Sequence, residues 1–143
     1  MTDNSKLTKA LRTYPNAQCF RFGDTEALCN ELLALVRSGK KAATCGKLID
    51  YESGMEAKPE IGRIDIALEW DGTPAVALQT TELKLCLFNQ VEEDFALAEG
   101  EDETLESWQE SHQRYYARTT GFEPEMMLVC ERFRVIQDFQ TSK

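Results

Sequence analysis

Residues 62–88, GRIDIALEWDGTPAVALQTTELKLCLF, alternate apolar and polar side chains on both sides of a short turn. Ile64, Ile66, Leu68 and Trp70 share one face, DGTP supplies turn chemistry, and the alternation resumes through AVALQTTELKLCLF. A hairpin or meander of this length commits the chain to a sheet with a half-buried face that other elements must cover.

Helical spacing occurs on both sides of it. In GDTEALCNELLALVRSG, Leu28, Leu32, Leu35 and Val36 recur at helical intervals, with Asp24 or Thr25 placed to cap the start and Gly39 suited to the left-handed position after the end. Leu7, Leu11 and Tyr14 mark a shorter helix over 5–14, and AQCFRFGD then alternates as a strand. Leu105, Trp108, His112, Tyr115 and Thr119 predict a helix over 104–119, and EMMLVCERFRVI closes the chain as a strand. DYESGMEAKPEIG, residues 50–62, reads as a polar loop placed to serve as a lid or substrate rim. The expected architecture is α+β, a small antiparallel barrel with helices packed at its openings. Residues 1–19 form an N-terminal helix and lead-in, 20–138 the domain, and 139–143 a tail.

A length of 143 residues suits one domain with a real core. No apolar run has the length of a signal peptide's core or a membrane span, and five scattered cysteines form no C-x-x-C pair. The expectation is a cytoplasmic protein with reduced thiols, no membrane contact, no metal site and no cofactor. The net charge of −9 is concentrated in residues 91–106, which carry eight acids and no base. Between Arg37 and Ile49, by contrast, stand Arg37, Lys40, Lys41 and Lys47 and no acid. That segment can meet a phosphate or polar ligand, whereas the overall acidity favours a small ligand over a long RNA.

Helix 25–38 runs into Gly39, Lys41 and Thr44, a G-x-K-x-x-T element. With PEIG ahead of a strand, FALAEGE ahead of the long helix and VCERFRV near the C-terminus, the sequence resembles the activating signal cointegrator homology (ASCH) domain family over residues 20–136. That family belongs to the PUA-like superfamily, so the resemblance implies a PUA-like barrel with the element at its mouth. It also implies a nucleoside or single-stranded RNA as partner. Some ASCH proteins are RNA-binding modules, one bacterial branch hydrolyses the acetyl amide of N4-acetylcytidine, and another cleaves single-stranded RNA. Arg63 departs from the pattern, since such barrels often place an acid after the glycine corresponding to Gly62.

In the amidohydrolase reading Thr44 is the nucleophile and Lys41 its base, as in Ser-Lys arrangements, with Lys40 and Lys47 as neighbouring cations. The alignment of FALAEGE makes Glu99 the third member, Glu101 being the fallback. In the ribonuclease reading, Glu99, Glu101 and Asp102 would gather a metal. Substrate contacts are expected from Arg37, Lys40, Lys47, Glu82, Trp108, Arg114 and Arg118, with Trp108 and Tyr116 able to stack on a base. His112 and Cys45 read as core residues. Strict alternation puts Glu131 on the face of Val129, Phe133 and Val135, so either it sits inside the barrel, where a buried carboxylate needs a partner such as Lys41, or a bulge rotates it outward.

Overall fold

A computed structural model describes residues 5–54, 59–119 and 121–140; part of the expected 50–62 loop, residues 55–58, lies outside them. The elements run α1 (Ser5–Thr13), β1 (Cys19–Phe20), α2 (Glu26–Ser38), β2 (Ala43–Lys47), α3 (Leu48–Glu52), β3 (Ile64–Leu68), β4 (Pro74–Leu87), a 3-10 turn (Phe88–Gln90), α4 (Glu93–Ala98), α5 (Leu105–Thr119) and β5 (Met127–Asp138). Thr25 caps α2 by accepting from the Leu28 amide, and Gly39 closes it at φ 83°. The stretch read as loop opens with the short α3, and the acidic run contains α4.

The strands form one sheet in the order β1-β3-β4-β5-β2. Its ladders are antiparallel except for β1 on β3, which are parallel because α2, β2 and α3 intervene between them. The fold is α+β as expected, but the sheet is open rather than a closed barrel. Among the described residues no ladder joins the two edge strands, β1 and β2.

Layers cover both faces. Leu32, Leu33 and Val36 of α2 pack with Ala67, Leu78 and Phe133 on one face. On the other, Ala10 of α1 meets Ile66 and Leu68 of β3, while Trp108 and Tyr116 of α5 join Ala43, Leu128 and Cys130 at the β2–β5 end. Full burial of each large aliphatic side chain contributes roughly 1.5–3 kcal/mol. The β3 strand is therefore buried on both faces, not one. Trp70, expected to continue its apolar face, lies past the strand's end and is exposed.

Irregular pairing decides which β4 side chains face α2. Thr80 pairs with Phe133 but Glu82 with Arg132, so Thr81 is an extra residue, and Leu83 then stands opposite Glu131. The bulge turns Glu82 off the face that Leu78 and Thr80 occupy.

No helix among the described residues is long and apolar enough to cross a membrane.

Candidate functional site

Where the two unpaired edges come closest to a barrel seam, the molecule has a cleft of about 840 Å³. Both edges line it, β1 through Cys19 and Phe20, β2 through Thr44 to Lys47. Because β2 is an edge strand, the cleft wraps around it and takes in Thr44 on one face and Cys45 on the other.

Lys41 enters from the α2–β2 connection and is 3% exposed. Its Nζ donates to the carbonyls of Ala43 (3.0 Å) and Glu99 (3.2 Å) and to Glu101 Oε2 (3.0 Å), and lies 3.5 Å from Glu99 Oε1. Three donors meet three oxygens, which is the arrangement of an ammonium. A base must offer a lone pair, so this geometry opposes the proton-accepting role expected of Lys41 and fits a fixed positive charge. Glu99 and Glu101, treated from sequence as alternatives, both serve it.

One glycine makes this possible. Gly100 adopts φ +79°, and a Cβ there would come within 2.5 Å of the Lys40 carbonyl oxygen and 2.8 Å of Lys41 Cα. Its missing side chain lets the turn after α4 lie directly on residues 40–42, where the Ala42 amide donates to the Ala98 carbonyl at 2.7 Å. The two flanking carboxylates therefore reach the lysine from both sides.

Glu99 is 2% exposed and richly supplied with donors. Its Oε2 accepts from Trp108 Nε1 (2.7 Å) and Cys45 Sγ (3.4 Å) and lies 3.5 Å from His112 Nε2. Burial alone pushes its pKa up, but the His112 contact, the Lys41 charge and the Trp108 bond outweigh burial and bring it below the usual value. His112 responds in kind: burial pulls its pKa down, and the facing carboxylate raises it to a net increase. Since His112 Nδ1 stands 2.9 Å from the Trp108 carbonyl and Nε2 faces Glu99, both ring nitrogens address acceptors, the pattern of an imidazolium. Burial first, and then the Glu99 charge, hold the Cys45 thiol well above its ordinary pKa.

Cys45, Glu99 and His112 thus bring three ligand atoms within 4.8 Å of one another, a set different from the Glu99, Glu101 and Asp102 cluster of the ribonuclease reading and at odds with the expectation of no metal site. The donor types suit zinc. Such an ion would bind in competition with the protons on the thiol and imidazole and beside the Lys41 ammonium. Cys45 and His112 are 67 positions apart, so no spacing rule exposes the pair.

Thr44 lines the cleft, and its hydroxyl has no hydrogen-bond partner among the described residues. Directly across the β2–β5 ladder stands Glu131, whose Oε2 accepts from Thr80 Oγ1 at 2.6 Å. Thr80, rather than Lys41, is its partner. Burial raises the Glu131 pKa; the Thr80 bond and Arg63 lower it, Asp65 raises it, and the balance is an increase. Arg63, the departure from the family pattern, is tied to Asp65 at 2.8 Å.

Several expected contacts fall elsewhere. Arg37 is drawn away by Glu69 (2.8 Å) and Asp138 (3.2 Å) and does not line the cleft. Lys40 points outward, as does Arg114. Arg118 pairs with Asp24 on the surface. Glu82, turned by the Thr81 bulge, meets Arg132 instead. Trp108 has no free face for a base: Phe88 stacks on it at 5.3 Å and His112 at 4.2 Å. Asp102 does line the cleft, with Oδ1 accepting from Ser107 and Ser111 of α5. Lys47 does line the cleft, with Nζ on the Gly121 carbonyl. Tyr116 is buried with its ring beside Lys47 Nζ, while Tyr115 lies partly open on the cleft wall.

The ASCH domain family matches residues 18–137. The chain belongs to that family. An ASCH domain from Lactobacillus crispatus is 32% identical, with a TM-score of 0.78 over 89% of this chain and 84% of that one. A protein from Enterococcus faecalis is also 32% identical, with a TM-score of 0.82 over 95% and 88% of the two chains. No curated protein matches the chain. As an ASCH domain it has a PUA-like fold of the RNA-binding kind.

Proposed function

We propose that this ASCH domain hydrolyses the acyl amide on the exocyclic amine of a nucleoside, with N4-acetylcytidine as the type substrate. The observation that carries the reading is the meeting, in one cleft, of a Thr44 hydroxyl that has no partner among the described residues with the buried charge of Lys41 held by Glu99 and Glu101. Thr44 Oγ attacks the amide carbonyl. Lys41 lies three residues away and supplies positive potential where negative charge develops on the carbonyl oxygen. Glu99 keeps that ammonium in place. Phe20, Phe22, Tyr51 and Tyr115 provide aromatic walls for a base.

Charge selects the size of the ligand. Among the described residues seven acids line the cleft, against four lysines and arginines and His112, so it suits an uncharged nucleoside better than a polyphosphate track.

The test is acetate release from N4-acetylcytidine by the purified protein, with and without chelator, beside a single-stranded RNA. Turnover that survives the chelator supports the reading. Metal-dependent strand cleavage, or RNA binding without turnover, replaces it. Thr44→Val should abolish acetate release, and Thr44→Ser should retain part of it.

A further inference from the structure

With every Lys41 proton directed at an oxygen, the Thr44 hydroxyl needs another acceptor, and the sheet register supplies one. The Phe133 amide donates to the Ala42 carbonyl at 3.0 Å, making Ala42 and Phe133 a hydrogen-bonded pair; two residues on, Thr44 and Glu131 repeat that relation. Directly opposed residues place their Cβ atoms about 5 Å apart on one face. Thr80, from the strand on the other side of β5, holds Glu131 Oε2 and leaves Oε1 without a partner among the described residues. Of the charged groups that line the cleft, Asp65 and Arg63 act on Glu131 most directly; Glu31 on α2 and Lys41 with Glu99 and Glu101 are among the others.

We propose that Glu131 is the general base for Thr44, an assignment that rests on the hydrolase reading above. Glu131 Oε1 takes the hydroxyl proton as Thr44 Oγ bonds to the acyl carbon. The resulting carboxylic acid passes that proton to the amide nitrogen as the C–N bond breaks, so cytidine leaves and an acetyl ester remains on Thr44. A water then gives a proton to Glu131 while its oxygen bonds to the acyl carbon. Thr44 Oγ recovers the proton as the ester bond breaks and acetic acid departs. Burial favours this task, because a carboxylate with a raised pKa is a stronger proton acceptor.

The experiment is the pH profile of kcat/KM on N4-acetylcytidine for the parent, Glu131→Gln and Thr80→Val, each checked for folding by thermal melting. The parent should show an acid limb, with activity rising as Glu131 loses its proton. Glu131→Gln should lower kcat/KM by roughly 10²- to 10⁴-fold and remove that limb. Thr80→Val withdraws a hydrogen bond from the charged carboxylate, so the limb should move to higher pH while activity persists on the alkaline side. An active parent whose folded Glu131→Gln variant keeps its rate and acid limb overturns the assignment and leaves the hydrolase reading standing. If Glu131→Gln does not fold, an unmoved limb in Thr80→Val overturns it. A parent that releases no acetate defeats the hydrolase reading and this assignment together.

Discussion

Two carboxylates face the same cleft and are treated in opposite ways. Glu99 is almost fully buried, yet its pKa falls; Glu131 is less buried, yet its pKa rises. The difference lies in what each faces. Glu99 meets an ammonium, an imidazole, an indole N–H and a thiol, whereas Glu131 has one threonine hydroxyl and a neighbouring Asp65 that offsets Arg63. Burial prices the charge of a carboxylate, and donors decide whether that charge is kept.

The sharpest way to break the comparison is to remove the ammonium. Lys41→Met leaves Glu99 buried beside a lost partner and should destabilise the fold by about 3–5 kcal/mol in urea denaturation. Adding Glu99→Gln to it should recover part of that loss, since the uncompensated charge is gone; strict additivity would show that the two side chains are not coupled. Lys41→Arg keeps the charge but cannot reproduce three short contacts from one nitrogen, so acetate release should fall while stability falls less.

A smaller effect separates the two glycines beside Lys41. Both adopt left-handed backbone, but a Cβ on Gly39 meets nothing within 4 Å, whereas one on Gly100 meets the Lys40 carbonyl. Gly39→Ala should cost about 1 kcal/mol and spare the site. Gly100→Ala should cost about 2–3 kcal/mol, adding overlap to backbone strain, and should also lower activity by moving Glu99 and Glu101.

The smallest effect is in pH dependence. The folded-state pKa of Glu99 lies below its ordinary 4.5, so its contribution to stability is present above that value and lost as pH falls through the folded pKa. Glu131 has the reverse sign: its contribution is present below 4.5 and lost as pH rises through its higher folded pKa. Melting curves across pH should show Glu99→Gln flattening the acid side and Glu131→Gln flattening the slope above it.

Much of the frame was legible in the sequence because it rests on local periodicity. The alternation around DGTP became β3 and β4, and the capped leucine pattern became α2 between Thr25 and Gly39. The G-x-K-x-x-T element and FALAEGE also marked the residues that gather at Lys41. Lost from view were facts of tertiary contact. Arg37 follows the helical pattern but finds Glu69 and Asp138, and Trp108 has both ring faces covered by residues from other turns and segments. The closed barrel was an extrapolation from alternation, which reports faces and says nothing of whether edges meet. His112 and Cys45 look apolar in context because their shared partner is distant in the chain.

The extra residue at Thr81 works as a phase shifter in β4. Upstream, the strand is held in step by β3; downstream, it keeps time only with β5. Were Thr81 instead to take a place of its own opposite Arg132, the second half would fall out of step, bringing the acid of Glu82 toward the cleft face and sending Leu83 away from it. Away from that position, a strand of period two tolerates exchange of side chains far better than a change in their number, so the history of β4 beyond Thr81 is expected to be one of substitutions, with insertions and deletions confined to the bulge and the loops.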